Sequence, residues 1–183
     1  VPTDHPLFIG NLGMHGAYAA NMAVNNCDLL FSIGTRFNDR ITGKLHSFAP
    51  CAKIVHIDID TSAISRNVQV DVPIVADAHE AIEKMLEYVE VCETKSWLEQ
   101  IADWKAEHPL VMKKRPIMTP KDIIDEINES FEEAIVVTDV GQHQMFTAQF
   151  LELKPGKQLI MCRRLVQWDM ACRGLSAQDW KSG

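Results

Sequence analysis

The sequence predicts an α/β protein: a parallel sheet with flanking helices, followed by the first elements of a second α/β domain. Three observations carry that reading. Two short apolar runs, Asp28 to Gly34 (D-L-L-F-S-I-G) and Ala52 to Asp60 (A-K-I-V-H-I-D-I-D), end in a glycine or in carboxylates. Buried parallel strands read this way where they open into loops. Helical stretches alternate with them, which favours a parallel sheet over a sandwich. A third run, Ala134 to Asp139 (A-I-V-V-T-D), repeats the pattern after a sharply marked helix start.

Each element follows in order. Ala17 to Asn26 reads as a helix before the first strand. After the second strand, Ala78 to Val91 places Ile82, Met85, Leu86 and Val89 at helical spacing. A second amphipathic helix runs from about Ser96 to His108. Pro109 and Pro116 then bracket Lys113, Lys114 and Arg115, the pattern of an exposed connector. Thr119 can cap a helix whose first residue is Pro120, with Asp122 near the positive end of its dipole. Ile123, Ile124, Ile127 and Phe131 are its expected apolar face. Gly141 breaks the third strand into another helix. The expected boundary between units lies near residue 118, and there is no internal repeat.

Composition narrows the function classes. The 183 residues are 46% hydrophobic and carry 18 basic and 25 acidic side chains, a net charge of −7. Such a chain can bury a core without metal or disulfide staples. Its acidic balance opposes general nucleic-acid binding, which needs a basic face. No apolar run approaches the ~20 residues of a membrane span. Five cysteines without a C-x-x-C pair are expected to be reduced thiols in a cytoplasmic protein, or in a plastid or mitochondrial matrix if the source is eukaryotic. Cys27, Cys51 and Cys92 are expected to be small packing residues.

Four segments carry candidate chemistry. Gly13-Met14-His15-Gly16 precedes a helix, so its backbone N–H groups can approach an anionic or planar ligand; an ordinary loop-to-helix junction would look the same. Gly34-Thr35-Arg36-Phe37-Asn38-Asp39-Arg40 follows a strand, where open α/β sheets bind ligands. There Arg36 or Arg40 can fork onto phosphate oxygens, with Asp39 orienting a neighbouring arginine. His56-Ile57-Asp58-Ile59-Asp60 alternates polar side chains along a strand end, where a carboxylate can accept from a ribose or ribityl hydroxyl; a half-exposed strand end is the competing explanation. Asp139-Val140-Gly141-Gln142-His143 opens a helix that can hold a phosphate, with Gln142 and His143 as donors. There is no G-x-G-x-x-G fingerprint. The remaining histidines and cysteines show no metal-ligand spacing, so no metal site is expected here.

In order and spacing, L-G-M-H-G, G-T-R-F-N-D-R-I-T-G-K, I-V-H-I-D-I-D and V-T-D-V-G-Q-H-Q-M closely resemble the large catalytic subunits of the acetolactate synthase (acetohydroxyacid synthase) family of thiamine-diphosphate enzymes. The resemblance runs from about Val1 to Ile160. It implies that residues 1–95 are most of a central FAD-binding domain, 96–118 a helix and linker, and 119–160 the start of a thiamine-diphosphate-binding domain. By resemblance, Gly13, Met14, His15 and Gly16 line the flavin, with Gly34, Arg36 and Asp39 nearby and Asp58 and Asp77 towards the other end of FAD. Val140, Gly141, Gln142 and His143 match the loop that holds the thiamine diphosphate phosphates. Asn38 stands where the family usually has aspartate.

The family condenses two 2-oxoacids, pyruvate with pyruvate or 2-oxobutanoate, with loss of CO₂, in branched-chain amino-acid biosynthesis. It uses thiamine diphosphate, Mg²⁺ and a largely structural FAD. The resemblance further implies a homo-oligomer with a regulatory subunit at full length. The activating glutamate and the Mg²⁺-binding segment are not among these residues, so the chain alone is expected to be inactive. A stand-alone flavin- or nucleotide-binding module and a non-catalytic assembly fragment are the alternatives.

Residues 161–183 are expected to be a frame-shifted, non-native tail. Permitted codons for Gln167 to Gln178, read one base earlier, encode T-M-G-Y-G-L-P-G-A-I-G-A, the glycine-rich segment the family carries at this point. Trp168 and Trp180 should then lie outside any core.

Overall fold

The computed structural model describes residues 2–113 and 116–161. Lys114 and Arg115 of the expected connector, and the expected frame-shifted tail with Trp168 and Trp180, lie outside the described residues, except Met161, the first residue assigned to that tail, which pairs with Thr138 in a strand. The chain divides into two compact units. One is Leu12–Leu110; the other joins the residues up to Asn11 with those from Val111 onward.

The Leu12–Leu110 unit contains α1 (Tyr18–Asn26), β1 (Leu29–Ile33), α2 (Asp39–Thr42), a 3₁₀ turn (Leu45–Ser47), β2 (Lys53–Asp58), β3 (Val72–Val75), α3 (Ala78–Leu86) and α4 (Lys95–Glu107). The three strands form a parallel sheet in the order β1-β2-β3, as the alternation of strand and helix predicts. Leu29 faces Lys53 and Val55 faces Val72 in register. Central β2 supplies the deepest residues: Ile54, His56 and Ile57 are all buried. On its Ile54 side lies a core of Phe37, Phe48, Ala49, Val68 and Val70. Full burial of side chains of this size is worth roughly 1.5–3 kcal/mol each. Helix α1 presents the small residues Ala19, Ala20 and Ala23 inward. It meets α4, where the Tyr18 ring lies 4.0 Å from the His108 imidazole.

The second unit contains α5 (Pro120–Ser130), β4 (Ala134–Thr138), α6 (Gln142–Phe150) and β5 (Lys157–Met161), with β4 and β5 parallel. Thr119 caps α5 as its sequence predicts. Its hydroxyl accepts from the Asp122 N–H, while Asp122 Oδ2 accepts from the Thr119 N–H at 2.7 Å, a complete capping box with Pro120 in the first turn. Asn128 ties three segments together. Its amide donates to the Phe150 carbonyl (3.0 Å), its Oδ1 accepts from the Glu152 N–H (3.0 Å), and its own carbonyl accepts from Lys157 Nζ (3.3 Å). The first residues of the chain join this unit through Thr3, whose N–H donates to the Leu153 carbonyl at 2.9 Å and whose hydroxyl accepts from the Leu153 N–H at 2.9 Å.

Several sequence expectations need correction. The helix expected over 78–91 ends at Leu86; Tyr88, Val89 and Val91 are strongly exposed. On α5, Ile124 is buried, but Ile123 and Phe131 are about half exposed, and Phe131 lies past the last helical turn. Cys51 and Cys92 are exposed, because one sits in the turn before β2 and the other in irregular chain after α3. Of the three cysteines, Cys27 alone is half-buried, and burial pushes its thiol above the ordinary value. Among the described residues, no helix is long and apolar enough to cross a membrane.

Candidate functional site

In the Leu12–Leu110 unit, the sequence motifs converge on the carboxyl edge of the sheet. Strand β1 ends in Gly34, whose N–H still donates to the Ile57 carbonyl of β2 at 2.8 Å. Gly34 has φ +62°, and a Cβ there would meet nothing within 4 Å. Glycine is favoured at this position by its backbone, and it leaves a bare strip of main chain facing open space. Arg36 is exposed just beyond it. Phe37 is nearly fully buried at φ +45°, a conformation that a bulky side chain rarely adopts. Asn38 Oδ1 then accepts from the Ile41 N–H (3.2 Å) and starts α2, a capping role that an aspartate would fill equally.

The Gly13–Gly16 turn is fastened to this loop. The Met14 N–H donates to the Arg40 carbonyl at 2.8 Å, and the Gly16 N–H closes the turn onto the Gly13 carbonyl at 2.9 Å. A Cβ on Gly13, where φ is +103°, would lie 2.6 Å from that same Arg40 oxygen. Asn21 of α1 clamps Gly13 from both sides, accepting from its N–H (2.9 Å) and donating to its carbonyl (3.1 Å). Gly13, Met14, Asp39 and Arg40 share a cavity of about 330 Å³. Helix α1 lines it with Asn21, Val24 and Asn25, and begins two residues after Gly16 without a side-chain cap, leaving its first N–H groups to other partners. A shallower hollow of about 440 Å³ near Cys92 and Lys95 contains none of the motif residues.

The end of β2 adds carboxylates. Asp58 Oδ1 accepts from the Asp60 N–H (2.9 Å), which turns the chain and ends the strand. Asp60 in turn accepts from the Ser62 N–H (2.9 Å). Ser62's hydroxyl and N–H hold the Asp60 carboxyl below the ordinary carboxylate range, and the charges of Arg36 and Arg66 pull the same way. Arg36 therefore acts on Asp60. Among the described residues, no ion pair joins Asp39 to Arg36 or Arg40, so the orienting role expected of Asp39 has no contact behind it. Asn67 Nδ2 also holds this loop, donating to the Arg36 carbonyl at 3.1 Å. Asp77 follows β3 at the same edge, but its carboxylate caps α3, accepting from the His79 and Glu80 N–H groups at 2.8 and 3.4 Å. Its second oxygen is what remains for a ligand. The sequence signal missed Asn21 and Asn67, which act through hydrogen bonds to Gly13 and Arg36 elsewhere in the chain.

The second unit carries the other motif. Val140 to His143 follow β4 and open α6, with Val140 and His143 exposed. The Val140 N–H donates to Asp139 Oδ1 at 2.7 Å, which shapes the loop. Helix α6, like α1, starts without a side-chain cap. The His143 ring folds back to within 2.8 Å of where a Gly141 Cβ would stand. Thr138, the last residue of β4, is buried with an unpartnered hydroxyl. Among the described residues, no three His, Cys, Asp or Glu side chains gather as a metal site.

Comparison with known proteins decides the family. Residues 1–85 match the family described as "Thiamine pyrophosphate enzyme, central domain". Over those residues the chain is a thiamine pyrophosphate enzyme central domain. It is 40% identical over 163 residues to the acetolactate synthase large subunit of Cyanidium caldarium, covering 85% of this chain and 28% of that protein. The same subunit of Porphyra purpurea is 41% identical over 160 residues (82% and 27%), and isozyme 3 of Escherichia coli 39% over 158 residues (81% and 28%). The chain thus spans a little over a quarter of these relatives' length. The parallel sheet that carries the first three motifs is the family's central-domain fold.

Proposed function

We propose that this chain is the part of an acetolactate synthase large subunit that holds FAD and begins the thiamine diphosphate site. The observation that carries the reading is the Met14 to Arg40 hydrogen bond. It joins two motifs 26 positions apart in the sequence into one surface beside bare backbone at Gly34.

The residues present suit a flavin. The uncapped start of α1 and the exposed Arg36 suit its diphosphate; Asp58 and the free side of Asp77 suit hydroxyl donors. Gly13, Met14, His15 and Gly16 with Gly34, Arg36 and Asp39 would form the flavin-facing rim. In the second unit, the uncapped N–H groups of α6, with Gln142 and His143, suit phosphate oxygens beside Val140 and Gly141. When bound, thiamine diphosphate supplies the nucleophilic carbon and electron sink for condensing two 2-oxoacids with loss of CO₂. The described residues assign no ligand to Mg²⁺, and no step is drawn through it. Residues 1–95 are read as the central domain, 96–118 as helix and linker, and 119–160 as the start of the diphosphate-binding domain. The relatives' designation as large subunits supports a smaller regulatory partner. By themselves the 183 residues are expected to make no acetolactate.

A chimera tests the function. Residues 1–160 replace the matching segment of the Escherichia coli isozyme 3 large subunit, and acetolactate formation from pyruvate is measured with thiamine diphosphate, Mg²⁺ and FAD. Retained product formation is expected. A folded chimera that binds neither cofactor would contradict the proposal.

A further inference from the structure

His56 is the deepest polar side chain in the Leu12–Leu110 unit. It is fully buried in the central strand, yet neither ring nitrogen has a hydrogen-bond partner. Buried polar groups are paired in the great majority of cases, and leaving one unpaired costs about 1–3 kcal/mol. Ser32, its neighbour in register on β1, is also buried with an unpartnered hydroxyl. An apolar residue would serve packing better here, so the imidazole calls for an explanation other than core filling.

Its surroundings supply one. Nε2 lies 3.8 Å from Asp58 Oδ2, too long for a hydrogen bond but close enough for the ring dipole or charge to orient the carboxylate. Asp58 is two residues further along β2 and so projects from the same face. The ring also stands edge-on to Phe37 at 5.1 Å. Phe37 is the buried, positive-φ residue at the centre of the Arg36–Asp39 loop. One side chain thus stands between two parts of the candidate site: Phe37 of the loop after β1, against its ring, and the Asp58 carboxylate at the end of β2, near its Nε2.

We infer that His56 is a positioning residue, whose ring seats Phe37 and whose Nε2 aims the Asp58 carboxylate at a ligand hydroxyl. The inference rests on the reading of this edge as a flavin site only for the identity of that hydroxyl. The two functions are separable by chemistry. His56→Phe keeps an aromatic ring against Phe37 and removes both nitrogens. His56→Asn removes the ring and keeps a polar group.

The first test needs no ligand. In the 183-residue chain, amide hydrogen exchange reads the Asp60 N–H, which donates to Asp58 Oδ1. His56→Phe is expected to speed that exchange about fivefold, the loss of one modest polar interaction, while the melting temperature holds or rises as unpaired nitrogens leave the core. His56→Asn is expected to lower the melting temperature and to speed exchange around Phe37. Unchanged Asp60 exchange in His56→Phe would overturn the inference.

The second test uses FAD quenching with the same variants, Asp58→Asn, the double variant His56→Phe with Asp58→Asn, and Arg36→Ala. Equal weakening by His56→Phe and Asp58→Asn, with no further loss in the double variant, is the expected coupling. Additive losses would overturn it. If Arg36→Ala weakens binding while His56→Phe does not, the positioning role fails and the flavin reading stands. If none of the variants changes the response to FAD but Asp60 exchange rises in His56→Phe, the flavin reading fails and the positioning role stands.

Discussion

The backbone N–H of Met14 donates to the Arg40 carbonyl at 2.8 Å, and a methyl group on Gly13 would stand 2.6 Å from that same oxygen. The contact fixes the spacing between the turn before α1 and the loop after β1. Gly13→Ala therefore meets two penalties, a left-handed backbone and a collision with main chain that has no flexible end to swing aside. The expected loss is about 2–4 kcal/mol of unfolding free energy, measured by urea denaturation. A change under about 0.5 kcal/mol would show that the two loops are not held together in solution.

Gly34→Ala separates backbone from space. Its φ of +62° costs about 1 kcal/mol for any other residue, but its Cβ would point into open space. The expected result is a small drop in melting temperature with a disproportionate loss of FAD affinity, because the new methyl occupies the bare strip a planar ligand would cover. A proportionate loss of both would place the ligand elsewhere.

Thr119→Ala removes half of the capping box at the start of α5. The cost expected is about 0.5–2 kcal/mol. The effect should appear in the exchange rates of the first turn of α5, while those of β1 and β2 stay unchanged. Protection unchanged at Asp122 would mean that the Asp122 side chain alone suffices.

Acid should act on the turn after β2. Asp60 titrates below its ordinary range because Ser62 bonds its charged form. The stabilisation it lends the turn is therefore complete above the ordinary carboxylate pKa and is lost as pH falls through the lowered one. A carboxyl-carbon NMR titration is expected to place Asp60 below ordinary aspartates, and Ser62→Ala to return it towards them. An unchanged value in Ser62→Ala would assign the shift to Arg36 and Arg66.

These contacts also mark what the sequence could and could not reveal. The strands from Leu29 and Lys53 and the capped helix at Pro120 were legible, because apolar runs, a capping threonine and a proline act locally. β3 was not: Val72–Val75 is four residues long, includes Pro73, and exists through its pairing with β2. β5 opens on Lys157, whose charge masks a strand; the lysine is buried with its Nζ donating a hydrogen bond to the Asn128 carbonyl. The alternation His56-Asp58-Asp60 suggested one polar, half-exposed face, whereas His56 is sealed beneath Phe37. Exposure of Cys51 and Cys92 followed from loop position, which composition does not encode. The motifs at Gly34 and Asp139 were readable as loops after strands, the one at His56 as a strand end, and the one at Gly13 as the turn before a helix. Within the Leu12–Leu110 unit, the turn at Gly13 and the loop after β1 are also held by Asn21 and Asn67, which carry no motif.

The central claim is that the loop after β1 holds FAD. Its most direct test is a fluorescence-quench titration of FAD against the 183-residue chain, Arg36→Ala and Lys44→Ala. Saturable, weak binding is expected for the chain. Arg36→Ala should weaken it by about tenfold or more, the value of a charge-assisted hydrogen bond. Lys44→Ala, beyond α2, should stay within about twofold, less than half a kcal/mol. Equal affinities for the two variants would contradict the account.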